Sequence, residues 1–256
     1  MVYTLPGCTI APLFEGWEET LIWSALEGIM GSCHALTADA PQSAVIVQGD
    51  FFFYAGKPEP ALLDFLPEGW NGGCRLLTPQ TEDWAAAIEA HYGAAAERET
   101  RYAIKKEPGI FDKTHLLQAV SAAPAAIYPI DEALYHKCFK ADWCRDLVSQ
   151  YPTYESFSRL ALGYVAVSEG EILSGAACYC TYSRGIEIEI DTHPDHRRKG
   201  LAYACGAALI LECLNRGLYP SWDAANLGSV ALAEKLGYHF SHEYPVYYMP
   251  IEKPIR

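Results

Sequence analysis

Hydrophobic positions change their spacing several times along the chain, and each change marks an expected element. In "GWEETLIWSALEGIMG", residues 16–31, apolar side chains recur at helical intervals. In "SAVIVQGDFFFYAG", residues 43–56, two apolar runs of strand length flank Gly49-Asp50 and predict a hairpin. "TEDWAAAIEAHYG" predicts a helix, and the charged stretch from Arg98 to Lys106 reads as helical or partly so. The alanine-rich "SAAPAAIYPI", residues 121–130, is punctuated by prolines that interrupt helix and ladder alike, which places a domain boundary near residue 126.

Beyond that point the order is regular. Asp131 is an expected N-cap for "DEALYHKCFKADWCRDLVSQ", and Thr153 for the short helix "YESFSRL". Three strands follow in residues 161–192, separated by Glu169-Gly170 and Arg184-Gly185. "LAYACGAALILECLNRG" predicts an apolar helix stopped by Gly217. A strand "LYPSW", a helix "SVALAEKLG" and a strand "SHEYPVYYM" are expected to complete the sheet. The fold class is therefore α/β, with an N-terminal α/β accessory domain over residues 1–125 and a second domain over residues 126–256.

A chain of 256 residues, half of them hydrophobic, suits two small domains. The formal charge of −13 argues against nucleic acid or an anionic membrane as partner, and an anionic ligand would need a local basic patch. Arg197, Arg198 and Lys199 form such a patch. No basic start precedes a long apolar run at the N-terminus, and no run is long enough to span a bilayer, so the expected location is the cytoplasm. Nine cysteines without framework spacing fit reduced thiols, and Cys178 with Cys180 has no second pair at zinc-ligand spacing, so no metal is expected.

"EIEIDTHPDHRRKGLA", residues 187–202, joins a strand to a glycine-bearing loop that opens a helix. Unsatisfied N–H groups and the helix dipole would meet there, next to three cations, and Gly200 and Ala202 would let a phosphate approach the main chain. The pattern suits a pyrophosphate and is neither a P-loop nor a dinucleotide fingerprint. His193, Asp195 and His196 lack metalloprotease spacing and read as loop residues.

The segment "THPDHRRKGLA" resembles the coenzyme A loop of the GNAT N-acetyltransferase superfamily, here Arg197-x-x-Gly200-x-Ala202. "AANLGSVALAEKLGYHF" is similar to that family's second signature, at Asn226, Ser229, Lys235, Gly237 and Tyr238. The fuller wording, with "GDFFFYAG" and "TRYAIKKE" in the N-terminal part, resembles the branch that includes zwittermicin A resistance acetyltransferases. The resemblance implies a mixed, splayed central sheet flanked by helices, in which the pantetheine arm of acetyl-CoA slips between two strands. It implies main-chain contacts from Ile190, Asp191 and Thr192, a pyrophosphate site at Arg197, Arg198, Lys199, Gly200, Leu201 and Ala202, and contacts from Asn226 and Ser229.

The activity implied is acetyl transfer to a primary amine of a small molecule, with an antibiotic as one candidate acceptor and a homodimer as one candidate assembly. A non-catalytic acyl-CoA-binding module is the alternative. Trp222 and Asp223 are candidate acceptor contacts, although Asp223 can equally cap the next turn. The family's tyrosine acid aligns with Ala233, so another group or water must protonate the leaving thiolate. Glu187 and Glu189 project from one strand face roughly 6–7 Å apart, and their repulsion can raise one pKa, which makes them candidate bases, Glu189 being nearer the expected thioester. A wet strand face explains their alternation as well.

Overall fold

The computed structural model describes residues 1–251 and divides into two compact units, Met1–Arg101 with the chain from Glu243 onward, and Tyr102–His242. The boundary expected near residue 126 falls inside the second unit. There "SAAPAAIYPI" is no linker, because Ala126–Pro129 is a strand paired with its neighbour.

In the first unit, strands β1 (Tyr3–Leu5), β2 (Ser32–Ala35), β3 (Ser43–Gln48), β4 (Phe51–Gly56), β5 (Cys74–Pro79) and the start of β6 (Glu97–Ile104), which runs on into the second unit from Tyr102, alternate with helices α1 (Gly7–Ile10), α2 (Thr20–Leu26), α3 (Pro60–Leu63) and α4 (Glu82–Tyr92). The hairpin at Gly49-Asp50 joins β3 to β4 as the pattern requires, with Gly49 at φ +58. The sheet order is β1-β2-β3-β4-β5-β13-β6-β12, where β12 (Asp223–Ala224) pairs only with the end of β6 and β13 (Phe240–Pro250) is the last strand among the described residues. Its core gathers Val45, Phe52, Tyr54, Leu77, Trp84, Ile88 and Tyr247. Two expectations change here. Arg98 to Lys106 is mostly strand rather than helix, and β13 adds antiparallel to β5 instead of completing the sheet of the second unit.

The second unit carries helices α5 (Lys113–Ser121), α6 (Glu132–Lys140), α7 (Tyr154–Leu160), α8 (Leu201–Asn215) and α9 (Leu227–Leu236). Its five-stranded sheet has the order β11-β10-β9-β8-β7, from β7 (Ala126–Pro129), β8 (Gly163–Ser168), β9 (Glu171–Tyr182), β10 (Gly185–Thr192) and β11 (Tyr219–Ser221). Only the pair β10 with β11 is parallel. Helix boundaries follow local chemistry: Asp131 accepts from the Leu134 N–H at 2.9 Å, and Thr153 forms a reciprocal cap with Ser156. The helix predicted over residues 131–150 stops at Lys140 and continues as a 3-10 turn, Asp142–Leu147. Helix α8 packs on one face of β8, β9 and β10, and α5 lies along α8. The 3-10 turn packs on β9 and β10, with Leu147 seated over Gly175. Among the described residues no helix is long and apolar enough to cross a membrane.

Candidate active site

Strand β10 pairs with β9 along its whole length but with β11 only from Gly185 to Glu187. After Ser221 the neighbouring chain turns away, and Asp223–Ala224, strand β12, pairs with Ala103 and Tyr102 at the end of β6. The sheet is therefore splayed, and among the described residues no strand lies beside the β10 edge that faces away from β9 beyond Glu187. A bulge in β9 at Tyr179, where Glu187 opposes Cys180 but Ile188 opposes Cys178, falls at the same level. The Asp191 carbonyl is turned to β9, where it accepts from the Ser174 hydroxyl at 2.9 Å. Alternation then directs the main-chain groups of Ile190 and Thr192 to the splayed edge.

Beyond Thr192 the chain makes a short 3-10 turn, Pro194–His196, capped by the His193 ring, which accepts the Asp195 N–H at 3.3 Å. Trp143 of the Asp142–Leu147 turn meets that ring edge-on at 5.3 Å. Arg197, Arg198, Lys199 and Gly200 are all exposed. Arg198 (φ +60) and Gly200 (φ +84) adopt left-handed backbone, and the loop's own carbonyls anchor its cations, Arg197 Nε donating to Thr192 and Lys199 Nζ to Asp195. Gly200 is the N-cap of α8 without a capping side chain, and a Cβ there would meet nothing within 4 Å. The N–H groups of the first turn at Leu201 and Ala202 thus face an open approach bordered by positive charge, a geometry that fits a diphosphate.

The two faces of β10 differ in chemistry. Ile190 points to α8, its Cδ1 lying 3.4 Å from where a Gly206 Cβ would stand. Glu187, Glu189 and Asp191 take the opposite face by strand alternation. Glu187 is only 5 % exposed, whereas Glu189 and Asp191 are half-buried. Burial pushes the Cys178 thiol up to about 12, with the Glu187 carboxylate adding to the rise. Burial also pushes the Asp191 carboxyl up to about 6, with Asp146 adding to the rise and Arg197 opposing it.

Asn226 caps α9, its Oδ1 accepting the Ser229 N–H at 3.0 Å, and the Ser229 hydroxyl accepts the Trp222 indole N–H at 3.0 Å. Trp222 is 4 % exposed and meets the Tyr238 ring at 5.4 Å, so its side chain belongs to the core beneath the splay. Asp223 is half-buried on β12, and Ala233 is fully buried in α9. The structure thus gathers Glu187 to Thr192 with Arg197 to Ala202 on one strand-loop-helix unit and gives Ser229 and Trp222 structural partners. Sequence reasoning missed Trp143, Asp146 and Ser174; the Asp142-Trp143 pair beyond α6 is a local signal for the turn that carries the first two, and Ser174 on β9 has none. Among the described residues no group of His, Cys, Asp and Glu could hold a metal ion.

The GNAT acetyltransferase family matches residues 11–247 of the chain. The uncharacterized N-acetyltransferase YdfB of Bacillus subtilis (strain 168) is 32 % identical over 239 residues, covering 90 % of each chain. The crystal structure of a GCN5-related N-acetyltransferase-like protein from Streptococcus suis 89/1591 is 46 % identical, with a TM-score of 0.89 over 94 % of this chain and 97 % of that one. A GCN5-related N-acetyltransferase from Sphaerobacter thermophilus, 13 % identical with a TM-score of 0.57 over 100 % of this chain and 96 % of that one, shares the fold. With a splayed sheet, a left-handed glycine at a basic helix start and a family match over most of its length, the chain belongs to the GNAT acetyltransferase family and is an acyltransferase.

Proposed function

We propose that the chain transfers the acetyl group of acetyl-CoA to a primary amine of a small molecule. The observation that carries this reading is the departure of the chain from β10 after Ser221, with Asp223 already paired to β6, at the level where the β10 edge leads on to the exposed basic loop. An extended pantetheine chain fits the β10 edge, where Ile190 and Thr192 offer main-chain groups, and the diphosphate fits the first-turn N–H groups of α8 beside Arg197, Arg198 and Lys199. A thioester held there supplies an electrophilic carbonyl; the amine nitrogen bonds to that carbon while the carbon–sulfur bond breaks. An ammonium must lose its proton before attack, and half-buried Glu189 is the base we assign, with Glu187 deeper behind it. Ordering both substrates in one cleft contributes much of the rate.

The carboxylates on this face and the −13 charge of the chain favour a cationic acceptor. An aminopolyol antibiotic is the acceptor class we assign from the resemblance to the zwittermicin A resistance branch. Thiol release with a panel of amines tests transfer, and calorimetry with acetyl-CoA tests the loop. Gly200→Ala, forced to hold φ near +84, is expected to weaken acetyl-CoA about five- to tenfold while the fold is kept. Unchanged affinity would overturn the loop assignment. Glu189→Gln is expected to lower kcat/KM by about a hundredfold or more and to displace its acidic limb; wild-type rate in both Glu187→Gln and Glu189→Gln would remove these carboxylates as bases. The buried Ala233 at the family's tyrosine position favours a second reading, an acyl-CoA-binding module, which tight binding without thiol release for any amine would establish.

A further inference from the structure

Helices α6 and α7 border an open cleft of about 640 Å³, a size within the range of small-molecule sites. α6 lines it with Glu132, Tyr135, His136 and Phe139, one stripe at helical spacing, and α7 with Tyr154, Glu155 and Ser158. The floor is aromatic. Tyr135 stacks on Phe139 with ring centroids 5.9 Å apart and meets Tyr154 at 5.8 Å. The Tyr135 hydroxyl donates to the Tyr151 carbonyl at 2.6 Å, which fixes the ring, and Tyr135 itself is only 2 % exposed. Above it, Phe139 is 40 % exposed and Tyr154 half-buried, so both present ring surface to the cleft.

The polar part of the wall has one sign. Glu132 and Glu155 line the cleft without any lysine or arginine, and the remaining ionisable neighbour, His136, lies 4.0 Å from Glu132. Ring faces and carboxylates both attract cations, while ring surface also takes up hydrocarbon. At the start of α7 the Thr153 hydroxyl accepts the Ser156 N–H at 3.2 Å, so that donor is already engaged. The geometry points to a binding site for an organic ammonium ion, with its hydrocarbon part on Phe139 and Tyr154 and its charged head between Glu132 and Glu155. No residue of β10 lines this cleft, and the inference does not depend on the acetyl-transfer reading.

The test is an NMR titration of the full chain, without acetyl-CoA, following the Phe139 and Tyr154 ring signals, with n-hexylammonium, n-hexanol and n-hexanoate as probes. Saturable shifts are expected with hexylammonium bound about tenfold more tightly than hexanol, and none with hexanoate. Glu132→Gln with Glu155→Gln, both at helix surfaces, should shrink the preference to about threefold or less while hexanol binding stays, and Phe139→Ala should weaken both ligands. Equal affinity for hexylammonium and hexanol, a preference untouched by the double substitution, or no saturable shift at these rings in the folded protein would each overturn the site.

Discussion

Asp191 should make stability depend on pH. Its carboxyl is held up near 6, first by burial and then by Asp146, against the pull of Arg197, whereas in the unfolded chain it titrates near the usual value of about 4. The folded state therefore binds this proton more tightly than the unfolded state. Stability from the neutral form is complete below about pH 4 and is lost as pH rises towards 6. Asp191→Asn removes the charge that burial penalises, so the variant should gain stability over the parent above about pH 6 and gain little below about pH 4. Urea melts at the two ends of that window check this; an equal offset at both would mean the substitution acts through packing. Arg198 shows the opposite economy, since its left-handed backbone costs about 1 kcal/mol that a glycine would save, yet a glycine would remove a cation from the loop.

At the scale of elements, the contact between the Asp142–Leu147 turn and β9 depends on Gly175. A Cβ there would stand 2.4 Å from Leu147 Cδ1 and 3.0 Å from Val165 Cγ1. Gly175→Ala is expected to cost about 1–3 kcal/mol, read as a lower denaturant midpoint, and Leu147→Val in the same chain should restore part of it. That turn carries Trp143 and Asp146 to the active-site face, which explains what the sequence could and could not reveal. Caps at Asp131 and Thr153, the hairpin at Gly49-Asp50 and the Gly200 loop depend on neighbours within a few residues, so their chemistry is written locally. The Arg98–Lys106 segment is not, because strand β6 is specified by partners such as Asp223–Ala224 far along the chain, while its charges locally imitate a helix. Trp222 looked like a cleft residue from its place beside Asp223; only the packing of Ser229 and Tyr238 around it shows a core side chain.

For the whole molecule, the discontinuity of the first unit decides which fragments can fold. A chain of residues 126–256 lacks α5, which lies along α8, and lacks the segment whose Lys105 N–H donates to the His239 carbonyl at 2.9 Å and whose Glu107 N–H donates to the Tyr219 hydroxyl at 2.8 Å. We expect no cooperative urea transition from that fragment and a cooperative one from Tyr102–His242; equal transitions would refute this division. The same connectivity sets an order of events during synthesis. Tyr247 must pair with Leu77, so the earlier-made unit cannot close its sheet until β13 has emerged. The later-made unit can complete itself first, while the β5 edge of the earlier one waits unpaired, so nascent chains stalled before β13 are the ones for chaperones to shield.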